Sequence, residues 1–124
     1  MIISVGVDAC QVDRLAAMLA RRPDVLVKLF NPAEINNEAG RRRSHASLAA
    51  RFAAKEALAK ALGAPAGLAW RDAEVTKDGE GMPAFQLRGK VAARVAELGI
   101  GAIRLSMSHD GGLAIAFVVC EGES

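Results

Sequence analysis

The chain has 124 residues, 52% of them hydrophobic and 24% charged; this is enough apolar surface to offset the entropy of ordering, and it suits a single domain, 1–124, with a modest core. No apolar run approaches the ~20 residues that cross a bilayer, "MIISVGVDA" lacks the basic lead of a secretory signal, and Cys10 and Cys120 lie too far apart for a metal knuckle or a disulfide scaffold, so a cytoplasmic protein with buried thiols and no membrane contact is expected. Net charge is only +2, but residues 11–55 carry nine Lys or Arg against four acids, and a basic first half suits an acidic partner.

In chain order, "IISVGVD" is a β-branched run ending in an acid, a strand that delivers Asp8 at its tip. "CQVDRLAAMLARR" spaces Val12, Leu15, Met18 and Leu19 as a helical stripe, which predicts a helix from Cys10 to about Arg22, closed by Pro23, with Arg14, Arg21 and Arg22 turned to solvent. "DVLVKLFNPAEI" reads as a short helix, a turn at Asn31-Pro32 and the start of another helix, and Arg41–Arg43 as a loop. Ser44 or Ser47 caps the next helix, which runs to Leu62 and stops at Gly63 with Pro65 behind it; it spans about 28 Å at ~1.5 Å per residue. "GAPAGLAWRD" reads as a loop, "AEVTKD" and "AFQLRG" as strands joined through "GEGMP", "KVAARVAELG" as a helix, "RLSMSH" as a strand and "GLAIAFVVC" as a final buried strand. Hairpin and short helical links favour α+β with an antiparallel sheet over a doubly wound parallel fold.

The stretch "ARFAAKEALAKALG" is alanine and leucine nearly all the way round, yet it carries Arg51, Lys55, Glu56 and Lys60. With Leu48 at zero and 100° per residue, Arg51 falls at about 300° and Lys55 at about 340°, within the Leu/Phe arc; Glu56 at about 80° and Lys60 at about 120° form an adjacent pair. The plain reading is an i,i+4 ion pair between Glu56 and Lys60, with Arg51 and Lys55 snorkelling. The functional reading is an acid and several cations gathered around a metal-bound polyphosphate. Asp8 and Glu56 are two hard oxygen donors of the kind magnesium takes beside substrate phosphates. In "SMSHDGG", His109 and Asp110 lie just past a strand, before two glycines that let backbone approach a ligand. Together Asp8, Glu56, Lys60 and His109 supply what phosphoryl transfer requires: metal ligands, cationic neutralisation and a base.

"GVDACQVDR", "RFAAKEALAKALG", "WRDAEV", "DGEGMP" and "SMSHD", collinear over nearly the whole chain, resemble holo-acyl-carrier-protein synthase, the small bacterial 4'-phosphopantetheinyl transferase. The resemblance implies that family's fold, with one long central helix packed on an antiparallel sheet. It implies a homotrimer with active sites at subunit interfaces. It also implies transfer of phosphopantetheine from coenzyme A to a serine of apo acyl carrier protein, releasing adenosine 3',5'-bisphosphate. Asp8 and Glu56 would bind magnesium, and Lys60 would face the phosphates. Arg51, Lys60, Gly63, Pro83 and His109 would contact coenzyme A, and Arg14, Met18, Arg21 and Arg22 the acidic carrier protein. The base is open between His109 and Asp8 acting through water. Lys55 is expected to be structural, with its partner unnamed. Ala9 and Cys10 replace larger or different residues of similar sequences, and Asp110 replaces a threonine of many relatives.

Two other readings are weaker. Another magnesium-dependent phosphoryl or nucleotidyl transferase would leave the basic first helix unexplained, and the chain has no G-x-x-x-x-G-K-[ST] loop. A nucleic-acid module has the basic half but only 4% aromatic residues and no tyrosine. A carrier-protein adaptor without activity is disfavoured because both metal carboxylates are present.

Overall fold

β-Branched residues and small residues share the first strand, β1 (Ile2–Gln11), and it is followed by α1 (Val12–Arg21), α2 (Val25–Leu29), α3 (Pro32–Ile35) and the seventeen-residue α4 (His45–Ala61) in the computed structural model, which describes residues 1–123. A 3-10 turn at Trp70–Asp72 precedes the hairpin of β2 (Ala73–Lys77) and β3 (Pro83–Leu87). Then come α5 (Gly89–Glu97), β4 (Ile100–Asp110) and β5 (Leu113–Gly122). The class is α+β, and all strand pairing is antiparallel.

The strands form two sheets rather than one: a three-stranded sheet in the order β1-β5-β4, and the separate hairpin β2-β3. In the larger sheet, the register places Gly6, Val118 and Leu105 in one row, Asp8, Ala116 and Met107 in the next, and Cys10, Ala114 and His109 in a third. Side chains alternate faces, so these rows share the face that α4 covers. There Ala114, Ala116 and Val118 are fully buried, packed with Leu48, Ala53, Ala57 and Leu58 of α4. Both ends of α4 follow from sequence: Ser44 Oγ accepts from Ser47 N at 3.1 Å. Gly63 at φ +84° ends the helix in the left-handed region that favours glycine.

Three expectations need correction. The first helix begins at Val12, not Cys10, because β1 stays paired with β5 as far as Gln11–Leu113, and Val12 N then donates to Gly112 O at 2.9 Å. His109 and Asp110 are not past a strand; they pair with Ala114 and Leu113 as the last residues of β4. The final strand is buried on one face only: Leu113, Ile115 and Phe117 are exposed, beside Val5 and Val7 of β1. An unbroken apolar run does not reveal which face lacks a cover. Among the described residues no helix is long and apolar enough to cross a membrane.

The alanines of α4 let β1 approach backbone to backbone. A Cβ on Gly6 would drive into the carbonyl oxygen of Ala57 and press on Ala61 N. Gly6→Ala is therefore expected to lose about 3 kcal/mol, the upper range of overpacking penalties, read as a fall in the urea midpoint at constant m-value.

Candidate active site

The close approach at Gly6 sets where Asp8 stands. Two residues further along the same face, its carboxylate meets the side of α4 that carries Glu56 and Lys60. Lys60 Nζ donates to Asp8 Oδ1 at 2.6 Å, with Asp8 largely covered and Lys60 half exposed. The cation therefore bonds across to the strand and not to Glu56 along its own helix, so the plain i,i+4 pairing is not the one formed.

Burial works to raise the pKa of Asp8, but its hydrogen bonds with Glu56 and Lys60 and the Lys60 charge hold it below the usual carboxylate value. Glu56 is pushed up to about 7, by burial first and then by the hydrogen bond and negative charge of Asp8, with Lys60 opposing. The Asp8 hydrogen bond and charge raise Lys60. Two carboxyls and one ammonium thus share a site in which the second carboxyl keeps its proton until about neutrality. That arrangement favours a further cation.

Among the described residues no three His, Cys, Asp or Glu side chains group as a metal cage. The donor set is two carboxylates, which fits magnesium, an ion that keeps water and substrate phosphate oxygens as its other ligands. Gly63 lies three residues beyond Lys60, just past the end of α4. Cys10 occupies the next row from Asp8 on the same face, and burial followed by the Glu56 and Asp8 charges raises its thiol pKa.

The other two charges of α4 face away from this cluster. Lys55 does not snorkel: its ammonium and the Glu34 carboxylate are fully buried, 2.9 Å apart. Arg51 is buried as well, its Nη1 donating to Ser47 Oγ at 2.6 Å, while its Nε has no partner. Burial and then the charge of Arg43 lower its pKa. Arg51, Arg43, Asn36, Asn37, Thr76 and Lys77 line a cleft of about 530 Å³, and Arg43 Nε is likewise buried without a partner. Pro83 begins β3 directly opposite Lys77 at the edge of this region.

Within one chain the anticipated residues therefore divide. Asp8, Glu56 and Lys60 come together; Arg51 lies about 140° round α4 from Glu56 at 100° per residue. His109 sits in the outer row of the sheet, two strands from Asp8, with no hydrogen bond to the cluster among the described residues. Arg14, Arg21 and Arg22 are exposed on α1, with Arg22 paired to Asp24 at 3.2 Å, and Met18 is half-buried beside the core. Sequence reasoning missed Glu34 and Arg43. Asn31-Pro32 with Glu34 at the third helical position is a helix-start signature, and Glu34 does accept from Asn31 N at 2.9 Å.

A carboxyl whose pKa rises on folding gives stability that is present below its unfolded value and is lost as pH climbs through the folded one. For Glu56 that window runs from 4.5 to about 7. In the metal-free protein, Glu56→Gln is expected to raise the melting temperature above pH 7 and to give no gain below pH 4.5, measured by thermal unfolding across that range.

Known proteins match this chain over nearly its whole length. A family model described as the 4'-phosphopantetheinyl transferase superfamily matches residues 4–118. A holo-[acyl-carrier-protein] synthase of Streptomyces griseus is 53% identical over 122 residues, covering 98% of this chain and 100% of that one. A holo-ACP-synthase crystal structure from Plasmodium yoelii superposes with TM-score 0.85 at 30% identity, covering 100% of this chain and 98% of that one. An ACPS–CoA complex from Chronobacterium ammoniagenes does so with TM-score 0.80 at 34% identity, covering 98% of each. A family match across nearly the full length, with half of all residues identical to a named synthase, assigns the chain to the holo-[acyl-carrier-protein] synthases of the 4'-phosphopantetheinyl transferase superfamily.

Proposed function

We propose that the protein transfers the 4'-phosphopantetheine group of coenzyme A to a serine of apo acyl carrier protein, in a magnesium-dependent reaction in the cytoplasm. The single observation that carries this reading is the Asp8–Glu56–Lys60 cluster, in which two adjacent carboxyls call for a cation and an ammonium is at hand for phosphate. Asp8 and Glu56 would hold magnesium, which when bound neutralises charge on the pyrophosphate. Lys60 donates to a phosphate oxygen and stabilises the charge that develops on the bridging oxygen. The serine oxygen bonds to the phosphorus bearing pantetheine as the bond from that phosphorus to the bridging oxygen breaks, and adenosine 3',5'-bisphosphate departs. The serine proton passes to Asp8 through water, or to His109.

The cleft beside Arg51 suits the 3'-phosphate of coenzyme A. Arg43 and Arg51 line it, and a guanidinium binds a phosphate through paired N–H donors. Gly63 lets the pyrophosphate lie close to the end of α4, and Pro83 shapes the edge near Lys77. Arg14, Met18, Arg21 and Arg22 present a basic helix to the acidic carrier protein, steering its approach electrostatically.

Since Arg51 and His109 stand apart from the metal cluster within one chain, we place the complete site between chains. The exposed sheet face of Val5, Val7, Leu113, Ile115 and Phe117 supports a homotrimer, because a contiguous apolar patch of this kind marks an association surface. Phe117→Arg with Ile115→Glu is expected to yield monomers in sedimentation and to abolish turnover, while the chain keeps its helical circular dichroism.

Apo carrier protein incubated with the enzyme, coenzyme A and magnesium should gain the mass of one phosphopantetheinyl group. Glu56→Gln should cut that rate at least about 100-fold, the loss expected when an essential metal ligand goes, without loss of fold. No mass gain with a competent carrier would overturn the reading.

A further inference from the structure

Lys55 and Glu34 form the centre of a buried hydrogen-bond network. Lys55 Nζ donates to Glu34 Oε1 at 2.9 Å, Trp70 O at 3.0 Å and Ala73 O at 2.9 Å, so each ammonium proton has an acceptor. Glu34 Oε1 also accepts from Asn31 N at 2.9 Å and Asn31 Nδ2 at 3.3 Å, and Oε2 from Val75 N at 2.9 Å. Asn31 and Arg71 close the ring, with Nδ2 donating to Arg71 O at 2.9 Å and Arg71 Nε to Asn31 Oδ1 at 3.1 Å.

A buried ion pair is a poor source of net stability, since a well-packed apolar replacement is often as stable or more so. What this pair supplies is location. It fastens three separate elements, α3, the Trp70–Asp72 turn and β2, to one point on α4. Two of those elements, α3 and β2, are walls of the Arg51 cleft: Ala33 and Asn36 belong to α3 and its end, Glu74, Val75, Thr76 and Lys77 to β2, and Arg51 lies one turn before Lys55 on the same side of α4.

We propose that Glu34 and Lys55 are positioning residues for coenzyme A recognition: by tying α3 and β2 to α4 they hold the cleft walls at the separation at which Arg51 and Arg43 grip the 3'-phosphate. This inference rests on the proposed assignment of that cleft to the 3'-phosphate. The pair touches no reacting atom, and its effect appears in binding of the nucleotide end rather than in the chemical step.

The test compares coenzyme A with dephospho-coenzyme A, which lacks the 3'-phosphate, using the wild-type trimer and the double variant Glu34→Gln/Lys55→Met, which keeps volume and removes both charges. Melting temperature establishes that the variant is folded. The wild type is expected to favour coenzyme A, and in the variant KM for coenzyme A should rise about tenfold with kcat and the KM for carrier protein within about twofold, the signature of lost ground-state binding. With dephospho-coenzyme A the two enzymes should behave alike. If the wild type does not discriminate between the two substrates, the cleft assignment falls and the inference with it. If it discriminates and the folded double variant does so equally, or if all parameters fall together for both substrates, the inference alone is overturned. Should the double variant fail to fold, Glu34→Asp keeps both charges but shortens the tie from α3 by one methylene; a loss of discrimination of about threefold, read from the same KM comparison, supports the inference, and unchanged discrimination overturns it.

Discussion

An ammonium with no water around it must have three acceptors, and the position of Lys55 imposes that demand on everything near it. The acceptors come from a carboxylate on α3 and from carbonyls on either side of the Trp70–Asp72 turn. Three elements, α3, the Trp70–Asp72 turn and β2, therefore converge on one helix residue. The side of α4 away from the large sheet is organised by polar satisfaction, whereas the side against β1 and β5 is organised by the fit of alanines to a strand.

α4 is thus a helix with two electrostatic regimes. At Lys55 the charges are matched, one carboxylate to one ammonium, and nothing further is called for there. On the side of β1 two carboxyls meet one ammonium, and the imbalance surfaces as a raised Glu56 and a depressed Asp8. A site left unbalanced by its own chain is ready for a ligand that brings charge of its own. The same helix therefore carries both a closed ion pair and an open cluster, and which of the two a charge joins depends on whether its partners are already complete.

Much of this was legible in the sequence, for identifiable reasons. Gly63 with Pro65 behind it sets the end of α4 to within a residue, while its start is open between Ser44 and Ser47; the Asp at the end of a β-branched run with Glu56 and Lys60 one turn apart marks the carboxylate cluster. The direction of each charged side chain was not legible. A helical wheel puts Arg51 and Lys55 among leucines but cannot say what lies opposite, and Glu34 is only one acid in a loop-like stretch until tertiary contacts bring it under α4. The division into two sheets was hidden for a related reason: strand pairing depends on long-range register, and the hairpin of β2 and β3 looks locally like any other. The exposed face of β5 was hidden because an apolar strand covered on both faces and one covered on a single face have the same composition.

The backbone contact at Gly6 has one more consequence. The spacing of Asp8 from Glu56 is fixed by main chain against main chain, with no rotamer in between. Elsewhere in the core, volume can be traded between neighbouring side chains as sequences drift, and the reactive groups would hardly register the exchange. At residue 6 there is no side chain to trade. The tolerance of this enzyme to mutation is therefore unevenly distributed: broad through its leucines and valines, and narrow at a position that has no chemistry of its own.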